Sequence, residues 1–207
     1  MLNSFISRTT RFPIVSIAIV IGMAGILLSG CDRLSVKKSM AEESYEMVDQ
    51  EGQAITFPEA YSGHVMLVGY VYTHCPDICP MITYNMRDIQ RELSDEDDFM
   101  LVSLSFDPER DTPEILNDYA ESYQLDLENW RLLTGNTNEV DEALESLEIK
   151  TLKSPTTFKD DGTQQYFIDH SDRVTLIDRN GNVRNNYVGS KMNQEQIISD
   201  IHKLLTE

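Results

Sequence analysis

Two thiols four positions apart, Cys75 and Cys79, sit in the stretch Tyr72-Thr73-His74-Cys75-Pro76-Asp77-Ile78-Cys79-Pro80. A dithiol at this spacing can hold a soft metal ion, or it can cycle between dithiol and disulfide. A plain structural disulfide is the third reading. Three intervening residues let both sulfurs face one point, which suits a shared ion such as Cu(I). Thiolate is the form that binds metal and the form that attacks disulfides, so anything that lowers a thiol pKa serves both uses. A helix N-terminus does this, because its free N–H groups and dipole favour the anion.

The flanking sequence supplies such a helix. Val65, Met66, Leu67, Val68 and Val71 form an apolar, largely β-branched run that predicts a buried strand leading into the cysteines. After them, Met81 to Leu93 has apolar or long side chains at 82, 86, 89 and 93, a helical spacing. Pro80 fits a first helical turn, which places Cys79 near the N-cap.

The remaining pattern alternates. Tyr45 to Phe57 reads as a hairpin around Glu51-Gly52. Phe99 to Phe106 reads as a second buried strand. Thr112 is a cap with Pro113 at the first position of a helix reaching Tyr123. Trp130 to Leu133 reads as a strand, and a helix runs from Asn136 or Asn138 to about Leu147. Ile149 to Phe167 is less regular, with Asp161-Gly162 as a tight turn. Val174 to Ile177 and Val183 to Val188 flank an Asn180-Gly181 turn, and Gln194 to Leu205 closes the chain as a helix. This order predicts an α/β protein, a mixed central sheet flanked by helices with an N-terminal hairpin, in the order of a thioredoxin-like fold.

Two thiolates need a third donor to hold copper well, and the chain has four histidines. His64 precedes the first strong strand. His74 adjoins Cys75, but neighbours on an extended segment point opposite ways. His202 lies near the end of the last helix. His170 lies just before the strand 174–177, and in a thioredoxin-like arrangement that loop abuts the cysteine turn.

Bulk properties narrow the class. The 207 residues are 41% hydrophobic and 25% charged, an ordinary globular composition. The net charge of −18 excludes a nucleic-acid binder, which needs a basic face. Three cysteines, at 31, 75 and 79, are too few for a disulfide scaffold. Residues 1–30 read as an export signal, with Arg8 and Arg11 before an apolar run from Phe12 to Leu28. Leu28-Ser29-Gly30-Cys31 resembles the lipobox of bacterial lipoproteins, in which the cysteine is lipidated. An uncleaved transmembrane anchor is the other reading. Both place the globular part outside the cytoplasm. Asp32 resembles an inner-membrane retention signal, which puts the protein on the outer face of the cytoplasmic (inner) membrane, facing the periplasm in a diderm cell. Residues 31–44 then read as lipidated N-terminus and flexible tether, and 45–207 as the folded domain.

Three motifs together resemble the Sco/SenC family of copper proteins. Tyr72 to Pro80 is similar to its cysteine motif. Ser105-Phe106-Asp107-Pro108-Glu109-Arg110-Asp111-Thr112 resembles its second, with Phe106 where a smaller residue such as valine is expected. Asp169-His170-Ser171 resembles its third. The similarity covers roughly residues 45–205. The resemblance implies a membrane-tethered carrier that delivers copper to the binuclear copper site of cytochrome c oxidase subunit II, or to a similar copper enzyme. It implies one copper per chain, Cu(I) or Cu(II), on Cys75, Cys79 and His170. Asp107 and Asp169 are implied as supports of that site, and Asp77, within the cysteine turn, as another. Other copper chaperones or thiol reductants are implied partners. The competing reading is a thiol–disulfide oxidoreductase with Cys75 and Cys79 as redox pair, which has no need of His170. A peroxidase is a distant third, needing one thiolate beside an arginine.

Overall fold

The computed structural model describes residues 33–207 apart from 161 and 163. The export signal and Cys31 lie outside the described residues, as does Asp161 of the expected Asp161-Gly162 turn. In chain order, the short strand β1 (Lys38–Ser39) and the hairpin β2 (Tyr45–Asp49) and β3 (Ala54–Phe57) come first. Then follow β4 (Val65–Val71), α1 (Ile78–Glu92), β5 (Phe99–Ser105), α2 (Pro113–Tyr123), β6 (Trp130–Gly135) and α3 (Thr137–Ser146). Four short strands come next: β7 (Thr151–Lys153), β8 (Thr157–Phe158), β9 (Gln164–Gln165) and β10 (Ile168–His170). The hairpin β11 (Val174–Ile177) and β12 (Asn182–Tyr187) and the helix α4 (Gln194–Leu205) complete the chain.

Eight strands form one mixed sheet in the order β1-β12-β11-β4-β5-β6-β2-β3, while β10 pairs with β7 and β8 with β9 in separate ribbons. The centre, β4-β5-β6, is parallel. Strands covered on both faces need apolar side chains in both directions, and every residue of β4 is buried. Helix α1 presents Ile82, Met86 and Ile89, all fully buried, on one stripe. Its approach explains Gly69: a Cβ there would collide with Met86 Sδ and touch Ile82.

The helix starts follow from side chains that satisfy free backbone N–H groups. Thr112 accepts from the Ile115 N–H at 3.4 Å, with Pro113 in the first turn of α2. Asn136 and Asn193 do the same for α3 and α4. At the tip of the last hairpin Gly181 has φ of +75°, a conformation that favours glycine. The Asp178 carboxylate accepts from the Asn180 and Asn182 N–H groups there, each at 2.9 Å.

The structure departs from the sequence reading in three places. Helix α1 begins at Ile78, three residues early, with Asp77 at the N-cap and Cys79 inside the first turn. Pro80 is tolerated there because first-turn N–H groups have no intrahelical partner. His170 lies in a strand, β10, and not in a loop. Residues 38–40, read as tether, are docked on the domain. β12 presents its outer edge, and an unpaired edge accepts another strand. Lys37 N–H bonds Val183 O and Met40 N–H bonds Gly181 O, both at 2.8 Å, and Met40 is fully buried. The folded part therefore starts before Tyr45.

One relationship in this topology positions the chemistry. β11 runs antiparallel to β4, with Val174 opposite Gly69 and Ile177 opposite Met66. The end of β4 and the start of β11 therefore meet at the same end of the sheet. The segment after β4 carries the cysteines, and the segment before β11 carries His170.

Candidate metal centre

Cys75, Cys79 and His170 meet at that end of the sheet. Each offers one donor atom, and these atoms lie within 4.8 Å of one another. No other such group of metal-ligating side chains occurs among the described residues. The Cys79 Sγ is 3.5 Å from His170 Nε2. Both thiols are free, Cys79 buried and Cys75 partly exposed. His74 is exposed, its Nδ1 paired with the Thr73 hydroxyl at 3.0 Å. His202 sits beside Glu96, and His64 precedes β4 at the far end of the sheet.

The two sulfurs are electrostatically unequal. Cys75 is lowered to about 3, first by the hydrogen bond from Cys79 and then by the backbone N–H groups of Cys79 and Asp77, against some burial. The backbone N–H groups of the helix start thus act on Cys75, after the Cys79 side chain, and not on Cys79, the thiol that the sequence reading put near the N-cap. Cys79 is pushed the other way, by its bond to Cys75 and by burial. Both shifts run in the direction that favours the thiolate on Cys75 and the proton on Cys79.

His170 is oriented at its other nitrogen. A carbonyl can only accept, so Nδ1–H donates to Ser171 O at 3.0 Å and Nε2 faces the sulfurs. A ring N–H committed in this way fixes the tautomer that presents a lone pair to a metal. The imidazole also packs against Phe106, with ring centroids 4.5 Å apart, and stands edge-on to Tyr72 at 6.5 Å.

The three aspartates read as supports occupy different places. Asp77 is exposed and contributes its backbone N–H to Cys75. Asp169 is exposed, on the strand face opposite His170. Asp107 is buried, and its carboxylate accepts from the Tyr166 hydroxyl at 2.6 Å and from Arg110 Nε. Arg110 also donates to Tyr166 O at 3.2 Å, and its guanidinium lies 3.6 Å from the centre of the Tyr166 ring. The Lys153 ammonium lies 3.8 Å from the same ring. Asp107 thus holds Tyr166, which precedes β10. The Ile168 N–H bonds the Tyr72 hydroxyl at 3.3 Å and ties β10 to the segment before the cysteines.

Two residues that touch this arrangement are not evident in the sequence. Asp111 is fully buried and accepts from the Thr73 hydroxyl at 2.6 Å, the Thr73 N–H at 3.2 Å and the Ser105 hydroxyl at 2.6 Å. It pins the start of the cysteine turn to the end of β5, and burial raises its carboxyl despite those donors. Asp111-Thr112-Pro113 reads as a turn and cap, which hides this second role. Tyr166 falls in the irregular stretch 149–167, where no periodicity marks it.

The donor set suits copper: two thiols and one imidazole in a partly apolar setting. Among the described residues no helix is long and apolar enough to cross a membrane.

Known proteins resemble this chain over most of its length. The sequence model described as SCO1/SenC matches residues 35–206. A copper-bound ScoI from Bradyrhizobium japonicum is 28% identical, superposes with a TM-score of 0.67, and covers 78% of this chain and 97% of its own. A SCO1/SenC family lipoprotein from Bacillus anthracis is 27% identical with a TM-score of 0.66, covering 82% and 99%. BsSco, described as a member of the Sco family of cytochrome c oxidase assembly proteins with a disulfide switch, is 30% identical with a TM-score of 0.65, covering 83% and 96%.

Proposed function

The chain belongs to the SCO1/SenC family, and on that premise we propose that it carries one copper ion on Cys75, Cys79 and His170 and delivers it to the binuclear copper site of cytochrome c oxidase subunit II. The observation that carries this reading is the convergence of two thiols and an oriented imidazole within 4.8 Å. Copper is the cargo here. Two thiolates and one imidazole suit Cu(I) at low coordination, and an added water or carboxylate extends the set to Cu(II). Partly exposed Cys75 is the donor that a partner's cysteine reaches first, so release proceeds by ligand exchange, one donor at a time, without a catalytic base. Cys31 is the proposed lipid attachment that holds the domain on the outer face of the cytoplasmic membrane; a relative from Bacillus anthracis is described as a lipoprotein. Asp107 supports the site through Tyr166, and Asp77 through its N–H to Cys75. Asp169 is placed to meet a partner or solvent on the outer face of β10.

The test is copper stoichiometry and affinity. The wild-type protein is expected to bind one equivalent, Cys75→Ser and Cys79→Ser to lose it, and His170→Ala to bind at least tenfold more weakly. Unchanged affinity in His170→Ala would remove His170 from the site.

One observation favours a second reading, reduction of a partner's disulfide: the thiols are free and asymmetric, as a redox pair requires. The Cys75 thiolate attacks a partner disulfide, forming a mixed disulfide and releasing one partner thiolate. Cys79 then gives up its proton and attacks Cys75 Sγ, releasing the second thiolate and leaving a Cys75–Cys79 disulfide. A partner-reduction assay in which His170→Ala keeps full rate would favour this reading.

A further inference from the structure

A second aromatic ring governs the imidazole. Phe106 is the residue after β5, and its N–H bonds Val71 O at 3.2 Å, which locks it beside Tyr72. Its ring is 5% exposed. It lies 4.5 Å from the His170 ring at 39° and 5.1 Å from the Tyr72 ring at 52°. Tyr72 closes the corner at 87° to His170. The imidazole therefore has an apolar wall on one face and an aromatic edge beside it.

We propose that Phe106 is a positioning residue for His170, holding the imidazole so that Nε2 stays on the sulfurs. The argument rests on what the ring would otherwise do. Rotation about the second side-chain torsion of histidine is broad and roughly two-fold. A half-turn would exchange the metal-facing edge for carbon. The Nδ1–H bond to Ser171 O opposes that turn, but a single hydrogen bond is a modest net restraint. The packed Phe106 face removes the space through which the imidazole would swing. A donor fixed before the ion arrives avoids the ordering penalty that a mobile side chain incurs on binding.

The inference rests on the copper reading, and the experiment separates the two. Cu(I) affinity is measured by competition with a chromophoric chelator for wild type, Phe106→Leu, His170→Ala and the double variant. Phe106→Leu is expected to lose about tenfold, and the double variant to be no weaker than His170→Ala, because the effect acts through the imidazole. Phe106→Tyr keeps the ring and is expected to stay within about twofold of wild type. Nitrogen-15 spectra of the reduced, copper-free protein give an independent readout: one Nδ1–H tautomer for His170 in wild type, and a mixture in Phe106→Leu. Thermal melting confirms that each variant is folded at the measuring temperature, and Phe106→Met replaces Phe106→Leu if the latter is not. Losses that add in the double variant, or an unchanged tautomer with unchanged affinity, overturn the role of Phe106. A His170→Ala variant with wild-type affinity overturns the copper reading instead, while the nitrogen spectra still decide whether Phe106 holds the ring.

Discussion

The Cys79 sulfur and the His170 Nε2 lie 3.5 Å apart although 91 positions separate them in the chain. Neither segment makes the site alone. The strand register of β4 against β11 brings the two together, so site and sheet stand or fall as one.

The asymmetry of the thiols sets how they react. With its thiolate maintained by the Cys79 hydrogen bond, Cys75 is expected to alkylate first in the reduced, copper-free protein, with Cys79 protected by burial. Its rate should be flat between pH 5 and 8, because its value of about 3 lies below that range. In Cys79→Ala the thiol returns toward the free value of about 8.5 and the rate climbs about tenfold per pH unit below it. Mass mapping of iodoacetamide adducts over pH checks this. A flat profile in Cys79→Ala would show that the bond is not what holds the thiolate.

Tyr166 joins the second motif to the strand bearing His170. Tyr166→Phe removes one donor from the buried Asp107 carboxylate and is expected to destabilise the protein by about 1.5–3 kcal/mol. Tyr166→Leu also removes the ring between Arg110 and Lys153 and should lose more, since each cation–ring contact adds about 0.5–2 kcal/mol. Urea unfolding of both variants measures the difference; equal losses would mean that the cations contribute nothing.

Acid sensitivity is expected from Asp178. Burial alone would raise its carboxyl, but N–H groups of Asn182 and Asn180 and the Arg184 guanidinium outweigh it, and the group sits below its ordinary value. A depressed carboxylate stabilises the fold fully above its unfolded value of about 3.9, and that contribution is lost as pH falls through the folded value. Arg184 bonds Asp178 at 2.9 Å, Glu207 at 2.8 Å and Leu34 O at 2.9 Å from a buried position. Arg184→Met leaves Asp178 without its cation and is expected to cost about 3–5 kcal/mol at neutral pH. Its acid midpoint, followed by circular dichroism, should move to higher pH; an unmoved midpoint would take Arg184 out of the account.

Met40 tests where the domain begins. Met40→Ala empties a fully buried position and is expected to cost about 2–5 kcal/mol. A chain starting at residue 34 should match the parent in denaturant, and one starting at 45 should not. Equal midpoints for the two would return residues 38–40 to the tether.

Much of this was legible from local signals. Thr112-Pro113 announced α2, and the closing helix read as Gln194 to Leu205 is α4 with the same bounds. The cysteine spacing and the place of His170 in the order of elements pointed to all three donors. What stayed hidden is what depends on long-range partners. β1 is two residues long and exists only because the edge of β12 is there to receive it. Asp111 and Asp107 are both acids in one turn, and nothing local says that one bonds Thr73 and the other Tyr166. Phe106 reads as the end of a strand until the fold lays its ring on His170.

The antiparallel join of β4 and β11 has a thermodynamic corollary. An ion gripped by all three donors would act as a cross-link, closing a loop that spans the 91 positions between Cys79 and His170. Closure of so long a loop restricts the unfolded chain, and binding to the folded form alone raises stability with cargo concentration. The empty carrier would then be the less stable molecule, and the chain gives up that added stability when the ion passes to a partner.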